Sequence, residues 1–407
     1  MNEGEGAHFP SGCALPFFCS RRFGDRPVSI LHNDMGRGDV KTRIVTVLAG
    51  LAVSLLPGQT ASGRTSPSEA VKPIALPNVE DMAVLPGGRW LIASSMHSDD
   101  VKPGLYAVET ATTRFEQLYP GPAAGSGGAS PRPAAGGARS ACPAELAAGE
   151  FSGHGISYRP TSARGGLLYV VNHGGRESIE IFDVELPRTA RAAPKLTWKD
   201  CILAPAGTVG NAVAWTRDGR IYATVTPVVN GTPRTGDIRY WAPSGGWTTV
   251  PGSAVEVPTG IAVAPDNSKI YVTSFPNRKV IEITLGAAPA RREVAVKFGA
   301  DNLSLARDGA ILAGGLDGNP ADIMRGCPAS NSPTCRFTGY AARIDPRSLK
   351  VSCTLELGPT VTTTATQVGN MLWFGSSRAP RIWRAPAAAL KICPARIDVG
   401  AGSAERE

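Results

Sequence analysis

Two of the five histidines in the chain, His154 and His173, flank one short stretch, FSGHGISYRPTSARGGLLYVVNH. Imidazole titrates near neutrality, and one ring can tune a neighbour, so a pair of histidines at one place is a candidate proton-transfer device. The pair can act together only if the chain folds back on itself. A β-hairpin does this: an apolar strand leaves His154 through Ile156 and Tyr158, and turns between Pro160 and Gly166. It then returns through Leu167, Leu168, Tyr169, Val170 and Val171 to His173 at the same rim. The plain alternative is that each imidazole caps a strand or bonds a loop carbonyl.

The same strand–turn–strand phrase recurs along the chain. The copies read EDMAVLPGGRWLIAS, HGISYRPTSARGGLLYVVN, GNAVAWTRDGRIYAT, PTGIAVAPDNSKIYVTS, DNLSLARDGAILAGG and TTATQVGNMLWFGS, beginning near Glu80, His154, Gly210, Pro258, Asp301 and Thr363. Each has a polar or small head, an apolar strand, a turn often carrying Asp-Gly or Gly-Gly, and a second apolar strand. Spacings of about 40 to 75 residues suit one four-stranded blade per copy. The expected fold is therefore all-β, a six-bladed β-propeller around a central tunnel. A two-sheet sandwich is the rival, but it gives no reason for the repeated phrase.

In a propeller the innermost strands line the channel, and their leading residues converge at one mouth. Those heads carry Glu80, Asp81, His154, Asn211, Thr259, Asp301 and Asn302. Carboxylates and amide carbonyls from several blades make a hard oxygen cage, which suits Ca²⁺ better than zinc or copper. Any one such pair caps turns routinely, so the weight lies in their recurrence at equivalent positions.

These residues also resemble a family. HGIS (154–157), VVNH (170–173) followed by SIEIF (178–182), and the VEDMAVLPGG opening look like the paraoxonase/arylesterase lactonases, and more distantly the gluconolactonase/regucalcin propellers. The similarity runs from about Leu76 to Pro386. The resemblance implies a calcium in the tunnel that contacts the scissile carbonyl or phosphoryl oxygen, and a histidine pair serving hydrolysis. By motif, Glu80, Asn211, Asp301 and Asn302 match the catalytic calcium ligands. His154 and His173 match the dyad, and Asp81 matches a ligand of a second, structural calcium. Two positions depart from the pattern. Thr259 stands where the family has Asn, and a hydroxyl is a poorer calcium ligand than an amide carbonyl. Ala212 stands where the family has an acidic ligand of the structural calcium, which puts that second metal in question.

The expected reaction is hydrolysis of a small-molecule ester or lactone, with His154 as base and His173 orienting or relaying its proton. No Gly-x-Ser-x-Gly elbow offers a serine nucleophile. Two other functions stay open: a sugar-lactone hydrolase in which the histidines are incidental, and a propeller that binds a small molecule or partner without catalysis. His97 and Met96 lie in a loop expected to overhang the tunnel mouth or simply to be solvated.

The chain has 407 residues and a formal charge of +8, but its Lys and Arg are scattered, with no basic tract interleaved with aromatics, so nucleic acid is not an expected partner. Lys41 and Arg43 precede the apolar run Ile44 to Leu56, which Pro57 ends, and Ala61-Ser62-Gly63 offers a cleavage site. That run is too short for the roughly 20 residues of a membrane span. It reads as a secretory signal over 35–63, with residues 1–34 as an over-extended start, placing the mature protein in the periplasm or outside the cell. The propeller is expected over 64–400, with a flexible Gly-, Ala-, Ser- and Pro-rich insertion at 121–149 and a tail at 401–407. Cys142, Cys201, Cys327, Cys335, Cys353 and Cys393 follow the signal, an even set that suits disulfides in an oxidising compartment. Cys327 and Cys335, bracketing one polar loop, are the easiest to close.

Overall fold

Each repeated phrase folds as an antiparallel hairpin. The pairs are Val79–Val84 with Trp90–Ser95, Gly153–Ser162 with Gly165–Asn172, and Thr208–Trp215 with Ile221–Val229. They continue as Pro258–Val263 with Lys269–Ser274, Gly299–Leu305 with Ile311–Leu316, and Thr362–Val368 with Met371–Ser376. The computed structural model describes residues 72–97, 101–121, 142, 144–189, 192–229, 232–286, 288–319, 323, 337–391 and 395–396. The expected signal, the central part of the insertion, the Cys327/Cys335 loop and the tail lie outside them. Turn chemistry folds the hairpins back: Gly219 and Gly309 of the two Asp-Gly turns stand at φ +89° and +81°, and Asn267 at +59°, a region that glycine and asparagine tolerate best.

Further strands extend each hairpin outward, for example Ser178–Glu185 and Lys195–Leu203 beyond the histidine hairpin. The fold is all-β and propeller-like. The first strand of each hairpin is innermost, and these inner strands lie against one another in a closed cycle, from Val79–Val84 round to Thr362–Val368 and back. The N-terminal strand Lys72–Ile74 pairs with Ile382–Pro386, so early and late segments of the chain share one sheet. This pairing covers an edge that would otherwise be exposed. Where separate four-stranded sheets were expected, the described strands form five hydrogen-bonded sheets, one of them eight-stranded. The cause is a single register pair, Val79 with Ser376, which joins the first hairpin's sheet to the last hairpin's sheet.

The core is distributed between neighbouring sheets. Ala83, Leu85 and Ile92 of the first pack on Ile156, Leu168 and Phe182 of the second, and a comparable buried cluster fills each later junction. Met82 and Leu91 meet Trp373 and Ile382 where the cycle closes. Middle strands are therefore covered on both faces, which is why WLIASS and MLWFGS read as nearly unbroken apolar runs. Among the described residues no helix is long and apolar enough to cross a membrane.

All the inner strands share one irregularity that matters for the site. Their register slips at the head: between Val79 and Asp81, Gly153 and Ile156, Gly210 and Val213, Pro258 and Ile261, Ala300 and Leu303, and Thr362 and Thr364. A bulge bends a strand and re-aims its side chains. The residues inside these bulges include Glu80, His154, Asn211, Thr259, Asp301 and Asn302.

Candidate functional site

The bulges leave little room between neighbouring inner strands, and the residue after the head is small where they come closest. A methyl group on Gly155 would meet the carbonyl of Asn211 at 2.6 Å, and one on Gly260 would collide with the carbonyl of Asp301. Hydroxyls of neighbouring hairpins then lock several of the heads. Ser94 Oγ donates to the carbonyl of His154, Thr224 Oγ1 to that of Thr259 at 2.7 Å, and Thr273 Oγ1 to that of Asp301 at 2.7 Å. Thr363 Oγ1 donates to the Glu80 carbonyl at 2.8 Å. Backbone positions at the mouth are thus fixed by side chains of the neighbouring hairpin.

Asp81 and Thr259, expected as metal ligands, occupy this locking layer. Asp81 Oδ1 accepts the Met82 N–H at 2.8 Å and the Thr364 hydroxyl at 2.9 Å, and Oδ2 accepts the Ile156 N–H at 3.0 Å. One carboxylate therefore ties together three inner strands. The Thr259 hydroxyl lies 2.7 Å from the Thr273 hydroxyl and donates to the Ala300 carbonyl at 3.1 Å. Both side chains already have protein partners.

The other four expected ligands differ. Glu80 Oε2, Asn211 Oδ1, Asp301 Oδ1 and Asn302 Oδ1 are buried acceptors with no hydrogen-bond partner. A buried acceptor left unmade costs about 1–3 kcal/mol, so native folds rarely keep one without a reason. The four come from three bulges of the inner ring and are all oxygens, two from carboxylates and two from amides. That donor set fits Ca²⁺. Among the described residues no three His, Cys, Asp or Glu side chains gather as a metal-binding group; an oxygen cage here would depend on its two asparagines. Electrostatics agree with the fit. Burial, together with the Glu80 charge, pushes Asp81 up to about 8 and Asp301 well above the usual carboxylate range. Burial also raises Glu80 to about 8, although Asn302 and His173 favour its ionised form. Carboxylates crowded this way hold protons unless a cation replaces them.

The histidine hairpin meets this cage. Gly153 pairs with Asn172, so His154 and His173 do return to one rim, and His154 Nδ1 lies 2.8 Å from His173 Nε2. On its other side His154 Nε2 is 3.3 Å from Glu80 Oε1, which also accepts from Asn302 Nδ2 at 2.5 Å. A residue that sequence reasoning missed completes the row: Glu177 Oε2 lies 2.9 Å from His173 Nδ1. Its signal was faint, a carboxylate four positions after a histidine but in a loop, where that spacing promises no contact. The loop is held by Asn172, whose Nδ2 donates to the carbonyls of Gly174 at 2.7 Å and Arg176 at 2.8 Å.

Burial and the neighbouring imidazole push His154 well below the ordinary histidine value. His173 is also buried, which lowers it, but Glu177 and Glu80 outweigh this and raise it overall. A proton shared by the pair therefore rests on His173. When that proton is absent, Glu177 accepts the remaining His173 Nδ1–H, His173 Nε2 accepts the His154 Nδ1–H, and His154 Nε2 carries the lone pair.

From the level of Asp81 and Asn302 a cavity of about 400 Å³ follows the inner strands past Met82, Ile156 and Leu303 to the turns that bear Arg217 and Asn267. Met96 is buried, while His97 is exposed. Cys142 and Cys201 form a disulfide with Cα atoms 5.6 Å apart, a pair the spacing did not suggest.

No family model matches the chain, and no curated protein sequence matches it. Among solved structures it is similar to a luciferin-regenerating enzyme, at 12% identity and a TM-score of 0.48 over 78% of this chain and 94% of that one. It is similar to a gluconolactonase from Xanthomonas campestris, at 16% and 0.46 over 77% and 87%. A calcium-binding protein, regucalcin, from Agrobacterium tumefaciens gives 12% and 0.45 over 77% and 90%. At such identities no residue role passes from those proteins to this chain.

Proposed function

We propose that this chain is an exported, calcium-dependent hydrolase of lactones and esters built on a six-bladed propeller, the eight-stranded sheet being two blades joined at Val79 and Ser376. The observation that carries the reading is the meeting of four orphaned buried oxygens with a histidine pair anchored by a carboxylate. Glu80, Asn211, Asp301 and Asn302 would hold the metal, while Asp81 and Thr259 hold the strands that present them. Calcium at this place supplies Lewis-acid polarisation of the substrate carbonyl and charge stabilisation of its oxyanion. His154 Nε2, facing the cage, draws the proton from the attacking water. His173 accepts the hydrogen bond from His154 Nδ1, and Glu177 fixes the His173 ring in the tautomer that permits it. Export is supported by the signal-like segment and by the Cys142–Cys201 bond.

A substrate panel tests this. Phenyl acetate, aliphatic lactones and aldonolactones are each assayed with calcium and with excess chelator. Hydrolysis of aryl esters or aliphatic lactones, abolished by chelator, is the expected result. Turnover confined to aldonolactones would favour the sugar-lactone hydrolase, and calcium binding without turnover the non-catalytic binder.

A further inference from the structure

The mouth carries a second fastening that hydrolysis itself does not require. Residues 144–152 run directly across the loop that bears His173 and Glu177. The Ser152 N–H donates to Asn172 Oδ1 at 2.8 Å, and the His173 N–H donates to the Ser152 carbonyl at 3.1 Å. Gly174 sits against the carbonyl of Glu150, where a side chain would collide, and a methyl group on Gly175 would lie 3.1 Å from Leu146 Cδ2. Leu146 is itself buried with Tyr119, Phe151 and Phe182. Arg176, next to Glu177, reaches over to the Ala144 carbonyl at 2.8 Å. The same guanidinium is held by Glu180 through bonds of 2.9 and 2.8 Å, and Ser178 and Trp198 complete that buried carboxylate at 2.6 Å each. The far end of the segment is closed covalently: Cys142 is bonded to Cys201, the residue opposite Glu180 in the sheet.

These contacts of the segment with the site are to the loop His173–Glu177 or to its anchors. Two of the proposed calcium ligands, Asp301 and Glu80, stand on inner strands and have their carbonyls locked by a different set of residues, Thr273 and Thr363. We propose that Cys142 and residues 144–152 form a strap that positions the His173–Glu177 pair, and that the Cys142–Cys201 bond must be closed for the strap to do so. Cys142, Leu146 and Arg176 are positioning residues here, acting through His173. The inference rests on the hydrolase reading, which gives proton transfer to the pair and leaves calcium and substrate binding to other residues.

The test uses the full-length protein and two variants. Cys142→Ser with Cys201→Ser opens the strap without a reductant, which matters because Cys353 is also disulfide-bonded. Leu146→Ala keeps the disulfide and removes the apolar contact on Gly175. Turnover, calcium affinity and amide hydrogen exchange are measured on all three proteins. Both variants should lose at least about tenfold in kcat, since small misplacement of a reacting group is costly, while KM and calcium affinity hold. Exchange should quicken at 172–178 and stay unchanged at 80–84 and 301–303. Unchanged kcat and unchanged exchange at 172–178 overturn the strap, as does a kcat loss matched by lost calcium affinity. If the wild type hydrolyses nothing, the hydrolase reading has failed, and the exchange result alone still decides whether the strap orders the histidine loop.

Discussion

Replacing His154 with Gln is expected to lower the hydrolysis rate by about 10²- to 10⁴-fold, the usual size of a general-base contribution. Glutamine keeps a hydrogen-bonding side chain but offers no proton acceptor in the working pH range. Calcium affinity should change little, since His154 Nε2 lies against Glu80 Oε1, while Oε2 is the orphaned atom. His173→Gln should cost less, because His173 orients the base instead of taking the first proton. The pH profile adds a readout that a structural histidine would not move. The base-competent arrangement needs His173 neutral, and Glu177 together with Glu80 holds its proton above the ordinary imidazole value. Activity should therefore rise with pH through a value above that of a free histidine, the proton belonging to the pair as a whole. Glu177→Gln removes the charge that holds the proton, so the rising limb should move to lower pH. If His154→Gln hydrolyses its best ester or lactone at the wild-type rate, the histidines are structural.

The second large effect concerns stability with and without metal. Glu80 and Asp81, raised to about 8 by burial, keep protons that the unfolded chain would release nearer pH 4. In the metal-free protein this contribution to stability is complete below the unfolded values and is lost as pH rises toward 8. The melting temperature in chelator should therefore fall between about pH 5 and pH 8. Calcium should oppose the trend, because it would bind Glu80 in its ionised form and only in the folded state. At a hundredfold excess over its dissociation constant it adds about 2.7 kcal/mol. The gap between the calcium and chelator melting curves should widen as pH rises. Thermal unfolding across that range checks it, and a chelator curve that rises toward pH 8 would contradict it.

The fold was legible because the hairpin phrase is written out repeatedly, with Gly and Asn at turns that need positive φ and apolar runs in the middle strands. Its heads were legible for the same reason: Glu80, His154, Asn211, Asp301 and Asn302 stand at equivalent places in the repeat. What the phrase does not encode is the bulge at each head, which arises from strands converging on one ring. The bulge decides whether a head faces inward or into the locking layer, and so Asp81 and Thr259 could not be told from Glu80 and Asn302. Glu177 was hidden because a loop, unlike a helix, has no fixed four-residue neighbour. Cys142 and Cys201 lie 59 residues apart across an insertion, whereas the compact Cys327/Cys335 loop drew attention. The joining of first and last sheets rests on one residue pair, Val79 with Ser376, which leaves no pattern in the sequence.

The most direct measurement of the central claim is a calorimetric titration of chelator-stripped protein with Ca²⁺, near pH 8, the value to which burial raises Glu80, with Asn211→Leu as the comparison. Asn211 Oδ1 has no protein partner, so its loss removes a ligand and leaves the hydrogen bonds of the fold in place. A saturable site in the wild type that weakens at least about tenfold in Asn211→Leu is the predicted result, an amide carbonyl being a strong calcium ligand. Wild-type protein that takes up no calcium, or an Asn211→Leu variant that binds it equally well, would contradict the cage.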